Sequence, residues 1–432
     1  MHNTQAMTGS PPMASASRTY SVLILLFIFQ TLNFFDKLVF GLSAVPIMKE
    51  MSLAPKDFGL IGSSFFLLFS LSGTLVGLFV IGRVKVKWIL VLLALCWSAT
   101  QIPIFFSSSV LLLVACRIIL GAAEGPGLPT ALHACYDWFP RDKRSVPSAI
   151  ILQGISVGLL VGGPFLTWVI TTWNWHTGFL VCGLLGLGWV VLWLAIGGEG
   201  PYATSNADQK QPETTARVPE RALWLDVTII GVIVMSTMSY WIVGMSATWL
   251  PPFLQLGLGY SQVTVGWIIS GIYLFQSPLL LAGSWLIQHL MRRGWSQRIC
   301  LGYASGLALV VPGLALILSV YVGEGAPQLV LIAVAFAAPS LTTIFGPVIL
   351  GAVAPPAQRG RLIVVIYSAN AISALFSNAV TGWIVQSAGN NSPLGYAHAM
   401  LFTAGILIVG GVAAFAMLYP ERTATRFAAV RA

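Results

Sequence analysis

Four charged residues interrupt long apolar stretches of this chain: Asp36 and Lys37, adjacent in Asn33-Phe34-Phe35-Asp36-Lys37-Leu38, and Arg117 and Glu124, seven positions apart. A charge inside a hydrocarbon-spanning segment costs about 2.5–3.5 kcal/mol on insertion scales, so such residues usually line a cavity or an ion path. Seven residues make nearly two helical turns, so Arg117 and Glu124 project from one face, which is expected to look inward. Neighbouring helical residues diverge by about 100°, so Asp36 and Lys37 should find different partners. Lys37 or Arg117 suits a carboxylate, and a desolvated Glu124 or Asp36 can take up and release a proton. The outline is a site where an organic anion and a proton meet. The competing reading, that these are ion pairs which only let helices pack, stays open at this stage.

The elements that must position these residues follow from composition. Of 432 residues 57% are hydrophobic and only 8% charged, whereas an ordinary soluble domain is roughly a quarter charged. A spanning helix needs about 20 apolar residues, so a dozen fit. The apolar runs lack the strict alternation of a barrel, and helices are the remaining way to satisfy backbone groups in lipid. Expected spans are 20–45, 58–81, 88–106, 110–135, 147–172 and 177–197, then 223–250, 262–287, 299–321, 328–351, 362–386 and 395–419. The stretch 198–222, with Pro201, Asn206, Asp208, Lys210 and Pro212, is too polar to span and reads as a linker. The chain thus divides into a six-helix bundle over 1–197, the linker, and a second six-helix bundle over 223–432. Gly59, Phe66, Ser70 and Gly77 share spacing with Gly266, Tyr273, Ser277 and Ser284, which supports two related halves.

With the amino terminus cytoplasmic, the inner loops hold Arg83, Lys85, Lys87, Arg141, Lys143, Arg144, Arg292, Arg293, Arg298, Arg359 and Arg361, and the outer loops only Lys49 and Lys56. That asymmetry places both termini in the cytoplasm and the protein in the plasma membrane, the inner membrane in a bacterium. It also accounts for the net charge of +9 without a nucleic-acid partner. The first apolar run is too long for a signal-peptide core and reads as a retained span. Cys96, Cys116, Cys135, Cys182 and Cys300 lack metal-ligand spacing and read as packing residues, so no metal or cofactor is expected.

In Gly121-Ala122-Ala123-Glu124-Gly125-Pro126-Gly127-Leu128-Pro129, glycines and prolines loosen the fourth span around Glu124. Glycines at 154, 158 and 162 give the fifth span a smooth strip for close packing. Asp137-Trp138-Phe139-Pro140-Arg141-Asp142-Lys143-Arg144 reads as a brace or gate on the inner side. Polar side chains able to touch a substrate are Gln153 in the first half and Tyr240, Tyr273, Gln276, Tyr367, Asn370 and Ser373 in the second, with Thr342 and Thr343 as further options.

These residues together resemble the major facilitator superfamily, in particular its anion:cation symporter branch of organic-anion transporters. The resemblance runs through the acid–base pair at 36 and 37, Arg117 with Gly121-x-x-Glu124-Gly125-Pro126-x-x-Pro129, Trp138-Phe139-Pro140, Gly154, Gly158, Gly162-Gly163-Pro164 and Trp249-Leu250-Pro251. It implies that Lys37 and Arg117 hold the anion, that Asp36 and Glu124 carry protons, and that the protein works as a monomer with lipid around it. Two positions depart from the branch. Lys37 stands where arginine is usual and lacks the bidentate fork. The loop after the second span, Ile81-Gly82-Arg83-Val84-Lys85-Val86-Lys87, has no acid where the superfamily has an aspartate–arginine pair.

The expectation is therefore a secondary transporter that carries a small organic carboxylate (a sugar acid, a dicarboxylate or an aromatic acid) with protons by alternating access. The alternative is a proton-coupled exporter of drugs or metabolites, which the intramembrane cations disfavour. No nucleophile motif, metal cluster or nucleotide loop supports an enzyme. A receptor would call for a signalling tail, which the residues after Pro420 do not resemble.

Overall fold

The computed structural model of the protein describes residues 16–81, 83–203 and 218–431. Among them, twelve helices are long and apolar enough to cross a membrane. The first six are α1 (Ser17–Leu42), α2 (Pro55–Gly77), α3 (Val86–Phe105), α4 (Val110–Tyr136), α5 (Ser145–Thr172) and α6 (Trp175–Ile196). The second six are α7 (Val227–Thr248), α8 (Gln262–Arg292), α9 (Arg298–Tyr321), α10 (Ala326–Val353), α11 (Gln358–Ser387) and α12 (Ser392–Met417). A shorter helix, α13 (Pro420–Arg431), follows. The fold is all-α, two six-helix bundles side by side. An even number of crossings returns both ends to one face, the terminal face; the other is the distal face.

Some helix ends differ from expectation. The first span stops at Leu42, and residues 44–50 form a separate helix after Ser43. Conversely, α8 continues to Arg292, and α11 takes Arg359 and Arg361 into its first turns instead of leaving them in a loop. Long basic side chains at a helix end extend toward water while their stems stay on apolar surface, so the helix need not stop where the charges start. Of the expected linker, residues 204–217 lie outside the described residues, as do residues 1–15 of the polar amino-terminal segment.

In the first bundle α1 packs on α5 and α6, α2 on α4, and α3 on α6; in the second α9 packs on α12, and α7 on α11 and α12. Besides a shorter contact of α1 with α7, two long seams join the bundles, α2 with α11 and α5 with α8. Both depend on bare backbone. A β-carbon on Gly59 would sit 2.6 Å from the Asn378 carbonyl oxygen, and one on Gly163 would sit 2.5 Å from that of Gly266. Hydrogen bonds fix the register: the Ser63 hydroxyl donates to the Leu375 carbonyl at 2.7 Å, and the Ser270 hydroxyl donates to the Leu160 carbonyl. Near the distal face Phe58 sets its ring edge-on to Trp249 at 5.4 Å, and the Trp249 indole N–H donates to the Asn378 carbonyl at 3.1 Å.

On the terminal face, Asp226 caps α7 by accepting from the Thr228 and Ile229 amides, and it also receives the Thr423 hydroxyl of α13 at 3.0 Å. That pins α13 to the second bundle, with Phe427 fully buried beneath it. Val218 and the Gln358 side chain exchange two hydrogen bonds of 2.9 Å, which ties the chain just before α7 to the start of α11. In the loop after α4, Arg144 donates to the Phe139 and Tyr136 carbonyls, so the segment braces itself, and Trp138 donates to the Gly198 carbonyl.

Candidate functional site

One turn of α1 presents three polar residues in two directions. Lys37 bonds the Asn33 side-chain oxygen, one turn earlier, at 2.6 Å and forms an ion pair with Glu124 of α4. Asp36, rotated around the helix, lies against Gln101 of α3 and Cys182 of α6 and is buried. The adjacent acid and base therefore diverge, as helical geometry requires.

Around Glu124, α4 comes unusually close to α2. Gly121 and Gly125 lie on the backbone of α2, where a β-carbon would collide with the Phe65 and Phe69 carbonyls. The helix ends at Glu124 and restarts at Gly127, with Pro126 at the join. Glu124 is wholly buried while the Lys37 side chain is 17% exposed, so of the pair it is the lysine that meets solvent. Arg117, two turns before Glu124 on α4, is buried between two rings: its guanidinium carbon lies 4.3 Å from the Phe40 centroid and 4.6 Å from that of Phe65. Two of its nitrogens, Nε and Nη1, have no hydrogen-bond partner, so cation–π contact substitutes for hydrogen bonds there.

The polar candidates of the second bundle are more dispersed. Tyr240 of α7 packs against the first bundle's apolar cluster, which holds Phe65 and Phe66. Asn370 is buried; its side-chain oxygen accepts from the Ser236 and Thr237 hydroxyls, both at 3.2 Å, while its amide nitrogen has no partner. Tyr367 turns to the Thr342 carbonyl at 3.5 Å and so works inside its own bundle. Thr342 itself is taken up by Ser239 and Pro339. Tyr273 and Gln276 are half-buried on α8, Ser373 is buried, and Gln153 is exposed on α5. The structure thus gathers Asp36, Lys37, Arg117 and Glu124 into one cluster and leaves the others around it. Sequence reasoning missed Asn33 and Gln101. The lysine four residues ahead marks Asn33, and Gln101 is the one amide in the apolar run of α3. Among the described residues no group of three or more His, Cys, Asp or Glu side chains could hold a metal ion.

A second polar cluster sits on the distal face. Glu50 accepts from the Ser108 hydroxyl at 2.5 Å and from the Trp175 indole N–H at 2.7 Å, with His176 Nε2 at 3.5 Å. The Ser108 hydroxyl, and after it the Trp175 indole, hold the Glu50 carboxyl below its ordinary range despite partial burial. A depressed pKa in the folded state means that the stabilisation is present above the ordinary carboxylate value, about 4.3, and is lost as pH falls through the lower folded value. The Glu50→Gln protein is expected to melt lower at neutral pH and to show a flatter melting temperature below pH ~4. Parallel acid limbs for the two proteins would mean that Glu50 contributes nothing there.

The chain matches the Major Facilitator Superfamily profile over residues 26–346. It is 23% identical over 424 residues to a D-galactonate transporter of Escherichia coli O6:H1, covering 91% of this chain and 94% of that one. It is 24% identical over 408 residues to a hexuronate transporter of Bacillus subtilis, covering 92% of each. In fold it resembles a bacterial homolog of the human lysosomal transporter Spinster, solved in an inward-facing and occupied conformation, with a TM-score of 0.75, 18% identity, and 97% and 99% of the two chains covered.

Proposed function

Because the chain belongs to the Major Facilitator Superfamily, we propose that it is a secondary transporter that moves a small organic carboxylate together with protons by alternating access. The observation that carries this reading is the Lys37–Glu124 ion pair, its carboxylate buried and its ammonium within reach of solvent, with Arg117 two turns before Glu124 on α4. A carboxylate substrate and Glu124 compete for one ammonium. While Glu124 is ionised it occupies Lys37. A proton on Glu124 removes its charge and frees Lys37 for the substrate carboxylate, so proton and anion enter together. Asp36, about 100° around α1 from Lys37, is the second proton carrier, and Arg117 holds the local potential positive. Asn370, through its unpartnered amide nitrogen, is the donor offered by the second bundle. The names of the galactonate and hexuronate relatives agree with an acid as substrate.

The basic loops set the orientation: both termini face the cytoplasm, and the protein lies in the plasma membrane as a monomer. The α5–α8 seam at Gly163 and Gly266 lies toward the outer side, while the α2–α11 seam runs along α2 from Gly59 to Thr74; the bundles (1–197 and 223–432, joined by 198–222) rock about the midplane. One proton with a monoanion leaves the step indifferent to membrane potential, whereas a second proton adds about 2.3 kcal/mol per 100 mV.

The test is uptake of a labelled sugar acid, dicarboxylate and benzoate into proteoliposomes under an inward proton gradient, with protein-free liposomes as blank. Accumulation of one acid above the blank, abolished by a protonophore and by Arg117→Ala, is the expected result. No protein-dependent uptake of any acid, with extrusion of lipophilic compounds instead, would replace the symporter by an exporter.

A further inference from the structure

The geometry points to a substrate with one carboxylate on a flat, apolar body, an aromatic monocarboxylate, and away from sugar acids and dicarboxylates. This rests on the symport reading above and concerns the substrate class of the same site.

The first observation is the number of reachable cations. Lys37 is 17% exposed at its side chain. Arg117 is only 4% exposed and held between the Phe40 and Phe65 rings, so solvent reaches Lys37 and not Arg117 in this form. The other charges amid the described spans are the acids Asp36 and Glu124. In the second bundle the basic residues Arg292, Arg298, Arg359 and Arg361 lie at helix ends, far along the chain from the midplane. One accessible ammonium holds one carboxylate; a second carboxylate would be buried without a counter-charge.

The second observation is what surrounds that ammonium. The Lys37 Nζ lies 4.6 Å from the ring centroid of Phe34 and 5.8 Å from that of Phe69, and both rings are half-buried. Apart from Glu124, the polar neighbour of the ammonium is the Asn33 side chain, whose amide nitrogen has no partner; a sugar acid held here by its carboxylate could give one hydroxyl to it and would press the others onto these rings, which offer no acceptor or donor. Each hydroxyl left dry in this way costs about five- to hundredfold in affinity. A planar ring next to the carboxylate stacks on such walls instead. On the facing bundle Tyr240 packs against the same apolar cluster as Phe65 and Phe69, adding another aromatic surface whose polar atom is at its tip. Phenylalanine at 34 and 69 is thus read as a specificity determinant, while the lysine supplies the charge.

The experiment is calorimetric binding to the full-length protein in detergent at pH 6 with benzoate, D-gluconate and succinate, followed by Phe34→Ala and Phe69→Ala. Benzoate is expected to bind at least tenfold more tightly than the other two, and each alanine variant to weaken benzoate about three- to tenfold while tightening gluconate, whose hydroxyls then meet water instead of a ring. Gluconate or succinate binding as tightly as benzoate would overturn the aromatic assignment and leave carboxylate symport standing. Binding of none of the three would overturn both. Equal loss of benzoate and gluconate in the alanine variants would show a general packing role for the rings and would also overturn it.

Discussion

Glu124→Gln is expected to abolish accumulation of substrate on a proton gradient while sparing exchange of substrate across the membrane. Glutamine keeps the shape of the side chain and its place against α2 but carries neither charge nor proton. Lys37 is then permanently available to the carboxylate, so binding loses its pH dependence, and loading and unloading proceed without a proton. In proteoliposomes the accumulation ratio should fall to that of protonophore-treated wild type, while counterflow at equal pH on both sides continues. Lys37→Ala should behave differently. It strands Glu124 as a buried charge without a partner, a change that costs about 3–5 kcal/mol when a buried pair is broken, or leaves Glu124 protonated throughout. Loss of both accumulation and counterflow is expected. A Glu124→Gln protein that still concentrates substrate would remove Glu124 from coupling and leave Asp36 as the carrier.

The second large effect is expected from Gly59→Leu. Gly59 lies where α2 meets the Asn378 carbonyl and Gly382 of α11, with Trp249 beside them. A leucine there can be housed only if α2 and α11 separate at the distal end. Overpacking of this kind typically costs about 1–3 kcal/mol, a five- to hundredfold shift in the population of the form described here toward one open on the distal side. Net uptake should fall by a similar factor, while substrate added from the distal side still binds. Uptake at the wild-type rate would mean that this closure is not part of the cycle. Gly163→Leu, at the α5–α8 seam, should reproduce the effect, because the two seams close together.

The fold was legible because hydropathy reports membrane burial directly: twelve apolar runs and a polar centre leave few alternatives. What hydropathy does not report is where a helix ends once it leaves the hydrocarbon. The extensions of α8 to Arg292 and of α11 back past Arg361 arise in that zone, where basic side chains are at home in or out of a helix. The terminal helix α13 was illegible for a different reason. Half of its twelve residues are polar or charged, and it is held by Thr423 finding Asp226 almost 200 residues away and by Phe427 finding a pocket, both tertiary events. In the site, the four intramembrane charges stood out because their cost in lipid makes them rare. Asn33 and Gln101 did not, since an amide in a span is as often an ordinary interhelical hydrogen bond. The aromatic sandwich around Arg117 joins α1, α2 and α4, and nothing in the spacing of Phe40 or Phe65 announces it. The fifth-span glycines at 154, 158 and 162 do form one strip, all three facing α1, while Gly163, one residue further, crosses to the other bundle. The weak likeness between halves has a counterpart in this geometry, since Gly59 and Gly266 each stand at a seam on the second helix of its bundle.

Surfaces that mesh through side chains must withdraw each one from its socket before they part, and every withdrawal adds a rotamer barrier. At Gly59 on Gly382 and Gly163 on Gly266 backbone meets backbone, and the glycines themselves have no side chain to withdraw. The bundles can roll on one another with little friction, and the registering bonds, such as Ser63 to Leu375, contribute only about 0.5–1.5 kcal/mol each. In the alternating-access cycle proposed above, a joint made this way would re-form in the same alignment each time it closes, and the protein would reverse without relaxing its interior between turnovers.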